Sequence, residues 1–213
     1  ILFSSCLLIS NVLAVKILSI GPWAAPAGIL VFPLVYIIND VVAEVWGYRK
    51  ARLIIWSGFA MNLLAILLYV LAIHLPSAPF WKNQEAFSQV LGSTPRIVTA
   101  SLSAYIVGSF LNAYVLSRMK IASNGRNFGW RAIVSTLVGE SADSFLFIII
   151  AFAGIFSWYN LLWMILIQAL LKTIYEIIIL PVTSFIVRRI KVAVDEDVYD
   201  ESLSYNPFRI GDL

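Results

Sequence analysis

Long apolar runs separated by short polar or basic stretches set the pattern of this chain. About 20 helical residues at 1.5 Å rise are needed to cross a hydrocarbon core of ~30 Å, and the runs lack the strict alternation of outer-membrane barrel strands. The pattern predicts six transmembrane helices: Ile1 to Ser19, Gly28 to Trp46, Arg52 to His74, Arg96 to Leu116, Arg131 to Phe156 and Asn160 to Val187. The first run has no basic leader and reads as a span rather than a signal peptide, with Asn11 inward and Lys16 near its exit. Gly21, Pro22, Trp23 and Pro26 read as a short turn after it. From Pro76 to Pro95, Phe80, Trp81 and Phe87 alternate with Lys82, Gln84 and Glu85, which suggests a helix lying in the membrane interface. Residues 192–213, opening on the acidic stretch DEDVYDE, read as a cytoplasmic tail behind a transmembrane domain of residues 1–191.

Polar residues inside the spans change the picture. In the second, Tyr36, Asp40 and Glu44 fall on one helical stripe with Asn39 beside it, Glu44 being near enough to the helix end to be partly solvated. In the third, Gly58 and Asn62 share a face; in the fourth, Ser101, Tyr105, Gly108 and Asn112 form a stripe suited to close helix packing. The fifth carries Thr136, Gly139, Glu140 and Asp143 together. The sixth places Gln168, Lys172 and Glu176 at successive i, i+4 positions before Pro181, which is expected to bend it. Asp40, Glu44, Glu140, Asp143 and Glu176, opposed by Lys172 alone, would together cost roughly 12–17 kcal/mol if charged, unpaired and facing lipid. They must therefore be paired, hydrated, protonated or matched by a donor-rich or cationic ligand. Lysine before glutamate is the weaker order for a helical pair, so Lys172 is expected to reach a carboxylate on the second or fifth helix as well as Glu176.

Composition agrees with an all-α integral membrane protein: 61% of the 213 residues are hydrophobic and 13% charged. The net charge of +3 does not indicate nucleic acid, because lysine and arginine gather at helix ends and there report orientation. Basic connections after the second and fourth spans, and a basic start to the tail, put both termini in the cytoplasm. Six spans then divide into two inverted halves of three, with a carboxylate-bearing helix in the middle of each. One cysteine, Cys6, allows no intrachain disulfide, and one histidine, His74, at the end of a span, makes a metal site improbable. No cofactor is called for.

Three blocks carry a family resemblance: FPLVYIINDVVAEVWGYRKAR from Phe32 to Arg52, STLVGESADSFLFI from Ser135 to Ile148, and KTIYEIIILP from Lys172 to Pro181. In this order they resemble the queuosine precursor transporter family, earlier grouped with vitamin uptake transporters. The resemblance implies a six-helix, multi-pass inner-membrane importer of 7-cyano-7-deazaguanine or 7-aminomethyl-7-deazaguanine, the bases used to make queuosine in transfer RNA. Such a base presents an N1–H and an exocyclic amine that one carboxylate can accept together, and a carbonyl that needs a donor. Glu140 or Asp143 would accept that edge, Asn39 and Asp40 would meet the other side, and Lys172 with Glu176 would set the charge balance. Phe32, Tyr36 and Phe147 are candidate walls, and Glu44, Asn62, Asn112 and Gln168 complete the candidate set.

A secondary carrier is the leading mechanism, since no GxxxxGK[ST] loop is present. The alternatives are the substrate-binding subunit of an ATP-driven vitamin-type importer, a carrier of another polar heterocycle, and a purely structural membrane subunit. An intramembrane protease would need paired aspartates such as Asp40 and Asp143, but the GxGD setting is missing. Gly108 and Gly154 would permit a homodimer without requiring one.

Overall fold

A computed structural model describes residues 1–20, 23–92, 95–201 and 204–209. The elements are α1 (Leu2–Leu13), a hairpin of β1 (Ile17–Ile20) and β2 (Trp23–Pro26), a 3-10 turn (Ala27–Leu30), α2 (Phe32–His74), α3 (Gln84–Leu91), α4 (Pro95–Ala122), α5 (Phe128–Phe152) and α6 (Trp158–Val194). Four helices, α2, α4, α5 and α6, are long and apolar enough to cross a membrane.

The expected first span stops early. Its helix ends at Leu13 and the chain becomes extended, Ile17 pairing with Pro26 and Ile20 with Trp23. β-branched residues favour that conformation, and the prolines cannot continue a helix. Gly21 and Pro22, expected in the turn, lie outside the described residues. With 12 residues, α1 is about 18 Å long, short of the membrane core.

The expected second and third spans form one stretch of helix broken at Gly47, whose φ of 81° and ψ of 175° are open to glycine and to few other residues. Contacts with α4 show what the break does. Before it, Asn39 donates to the Ser109 carbonyl and Lys120 to the Glu44 carbonyl, so residues 32–46 run parallel to α4. After it, Tyr48 and Ser117 both donate to Asp200, whereas Tyr105 donates to the Ile55 carbonyl, so residues 48–74 run antiparallel to α4. The chain turns back on itself at Gly47.

α4, α5 and α6 follow as antiparallel neighbours. Asn112 of α4 donates to Thr136 of α5, and Lys172 of α6 reaches Glu140 and Asp143 of α5. Gly108 and Gly139 let α4 and α5 approach backbone to backbone: a methyl group on Gly139 would stand 2.8 Å from the Gly108 carbonyl oxygen. α6 continues through Pro181 as a single helix. The segment after His74 does carry the expected short helix, α3, whose residues are all at least partly exposed.

Burial is inverted relative to a soluble protein. Asp40 and Glu44 are 0% exposed while Leu67 and Ile178 are 58% and 68% exposed, the arrangement expected when lipid is the solvent. The tail beyond α6 folds back along one end of the bundle. Asp200 takes the Tyr48 N–H at the reversal, Arg52 donates to the Asn206 carbonyl, and Trp56 donates to that of Pro207.

The glycine contact between α4 and α5 gives a direct test. Gly139→Leu should cost about 1–3 kcal/mol by overpacking, read as a lowered unfolding temperature in detergent.

Candidate functional site

The backbone geometry just described brings together residues 32–46 of α2, α4, α5 and α6, and their polar stripes meet inside the bundle. Lys172 is the hub. Its Nζ lies 2.6 Å from Asp143 Oδ2, to which it donates a hydrogen bond, and 2.7 Å from Glu140 Oε2, a charge contact off the hydrogen-bond direction. The same ammonium stands 4.2 Å from the centre of the Phe32 ring, which in turn packs against Tyr36 at 5.7 Å. The expectation that Lys172 reaches a carboxylate on the fifth helix holds. Its expected pairing with Glu176 does not: among the described residues no ion pair joins them, because both α5 carboxylates draw the ammonium the other way.

Glu176 turns instead toward Asp40 and Thr136, within hydrogen-bond reach of both. Asp40 is also within reach of Asn112, whose amide nitrogen is given to Thr136 Oγ1 at 3.2 Å. Several buried polar atoms here have no partner: the Tyr36 hydroxyl, Asn39 Oδ1, both Asp40 oxygens and Asn112 Oδ1. Four carboxyl groups thus face one ammonium in a space where unmet hydrogen-bonding capacity is costly. The cluster is deeply buried, Asp40 at 0% exposure and Lys172 at 7%. Two surface clefts, of about 380 and 260 Å³, lie beside the tail and between α1 and Tyr69, and neither is lined by its residues.

Other candidates fall elsewhere. Glu44, expected to be partly solvated, is fully buried at a second centre, where Arg131 grips it with two bonds of 2.6 and 2.9 Å and Lys191 adds a third of 2.7 Å. Asn62 accepts a bond from Asn11 and ties α1 to α2. Gln168 is half-buried one turn before Lys172, and Phe147 packs on Phe152 farther along α5. In the sequence Arg131 and Lys191 stand out only as basic residues that report orientation. The available signal was their placement at helix ends level with Glu44.

Lys120 extends this second centre into the tail. Its ammonium donates to the carbonyls of Glu44 and Val198 and, like Lys191, pairs with Asp197. Partial burial opposes the charge on Asp197, but the hydrogen bonds and charges of Lys120 and Lys191 outweigh it and hold the carboxyl below its ordinary value.

A family model described as "Putative vitamin uptake transporter" matches residues 26–186. The chain is 29% identical over 175 residues to the "Probable queuosine precursor transporter" of Bacillus subtilis, covering 81% of this chain and 76% of that protein. It is 29% identical over 143 residues to the "Queuosine precursor transporter" of Escherichia coli, covering 67% of this chain and 62% of the relative. With the "Probable queuosine precursor transporter" of Haemophilus influenzae it shares 30% identity over 126 residues, 59% of this chain and 51% of the other. No solved structure matches the chain.

The lowered Asp197 carboxyl sets a pH signature for tail docking. A depressed folded value stabilises fully above the unfolded one, near 3.8, and the contribution is lost as pH falls through the lower folded value. Hydrogen exchange at the Val198 amide, bonded to the Val45 carbonyl, should therefore stay slow from neutral pH to about 4 and be released, beyond its intrinsic pH trend, only below that. Asp197→Asn should raise it a few-fold already at neutral pH.

Proposed function

Because the chain belongs to the vitamin uptake transporter family, whose model covers residues 26–186, we propose that it imports queuosine precursors across the bacterial inner membrane. In this reading it is a secondary carrier of six membrane segments in two inverted halves, with both termini cytoplasmic. Two segments are short: α1, and residues 32–46 before the reversal at Gly47. The cytoplasmic end is the one where the Gly47 reversal, the Arg131 centre and the tail meet, which is where the basic residues gather.

One observation carries the substrate class: a buried cluster in which Asp40, Glu140, Asp143 and Glu176 oppose Lys172, with unpartnered acceptors beside them. A deazaguanine supplies what such a site lacks. Its N1–H and exocyclic amine donate side by side to a carboxylate, Glu140 or Asp143, and its carbonyl accepts from Lys172 or Asn39. Phe32 and Tyr36 flank the ring. A site built around buried polar groups rejects analogues that leave those groups unpaired, which gives selectivity among heterocycles. Glu44 serves the neighbouring ionic centre, and Asn62 serves packing.

Uptake of labelled 7-cyano- and 7-aminomethyl-7-deazaguanine into proteoliposomes tests the assignment. Glu140→Gln and Asp143→Asn should each lower initial uptake at least about tenfold, the loss expected when one charge-assisted hydrogen bond of ~1.5–3 kcal/mol is removed, while the protein still reconstitutes. Wild-type uptake by both variants would remove these carboxylates from the binding site.

A further inference from the structure

Asp40 and Glu176 differ from the other carboxyls buried on the long helices α2, α5 and α6. Glu140 and Asp143 share Lys172, and Glu44 is held by Arg131 and Lys191. Asp40 and Glu176 have no cation partner among the described residues. They face each other across α2 and α6 within hydrogen-bond reach. Asp40 is fully buried with no donor on either oxygen, and Asn112 Oδ1 beside it is also unpartnered. Two ionised carboxylates are acceptors only and cannot bond to each other; at such a separation, shielded from water, they do not both stay ionised. One proton between them removes one charge and turns a clash of acceptors into a hydrogen bond.

We propose that Asp40 and Glu176 form a proton-binding site, and that the proton they hold travels with the substrate. This deepens the transporter reading and rests on it. In the step, the doubly ionised pair takes one proton from the outer aqueous side as the substrate enters. The pair then closes as a carboxylic acid donating to a carboxylate, and the proton is released to the cytoplasm when the site opens there. The charged and titratable groups around the pair are Tyr36 and Glu44 on α2, Glu140 and Asp143 on α5, and Lys172 on α6. α4 contributes the neutral Asn112. Lys172 is committed to α5, so the pair can load and unload a proton without breaking that ion pair.

Two measurements on the full chain test this. Infrared spectra of the purified protein at neutral pH should contain the carbonyl stretch of a neutral carboxylic acid that disappears in Asp40→Asn. Absence of a band sensitive to substitution of this pair overturns the proposal. In proteoliposomes holding a pH-sensitive dye, uptake of a deazaguanine base should acidify the lumen and should accelerate several-fold when the outside is made acidic. Glu176→Gln should lower the proton flux per base taken up at least tenfold, and Glu176→Asp should restore part of it. Robust uptake with no proton movement, or uptake driven by sodium instead, overturns the coupling while leaving the transporter reading in place. No uptake of either base by wild-type protein overturns both.

Discussion

Charge buried in an apolar bundle has to be answered within a few ångströms, and that constraint shapes this molecule. Lys172 answers two carboxylates of α5 and so fixes the facing of α5 and α6. Arg131 and Lys191 answer Glu44 and fix the same two helices against residues 32–46 of α2. Close contact at Gly108 and Gly139 then sets α4 beside α5 and brings Asn112 into the cluster. Apolar packing alone would leave each helix free to rotate, since a leucine face is as content against lipid as against another helix. The ionic contacts remove that freedom.

The two charged centres lie on one arm of α2, one near its middle and the other at its end beside Gly47. This arm carries both the buried cluster's Asp40 and the clasp at Glu44. The tail reinforces the clasp, because Lys120 and Lys191 hold Asp197 while Asp200 takes the backbone N–H just after the reversal. The chemistry of the site and the mechanics of its closure are thus coupled through fifteen residues of helix, 32–46.

Much of this was legible in the sequence, for physical reasons that differ by residue. Asp40, Glu140, Asp143 and Lys172 stood out because charge in an apolar run is costly anywhere but a bundle interior, and helical spacing put them on inward stripes. Gly108 could be read as a packing position, whereas Gly139 reads from sequence only as part of the carboxylate face. The partner of Lys172 was only half legible, because helical spacing gives Glu176 as a neighbour while the choice between α5 and α6 depends on tertiary geometry. Glu44 was misjudged as partly solvated because its cation lies 87 positions away, on another helix. The early end of α1 followed from strand pairing that hydropathy does not register. Tail docking was invisible, since an acidic stretch reads as solvated until lysines on two helices meet it.

The most direct test of the account is thermal stabilisation of the purified protein by the two deazaguanine bases, with guanine and an unrelated vitamin as controls. A ligand of the native state present at 100 times its dissociation constant adds about 2.7 kcal/mol, which an unfolding curve resolves. The account predicts a shift for the deazaguanines that exceeds both controls and is lost in the double variant Glu140→Gln, Asp143→Asn. No shift at saturating concentration, or an undiminished one in that variant, would contradict the claim that the Lys172 cluster is where the substrate binds.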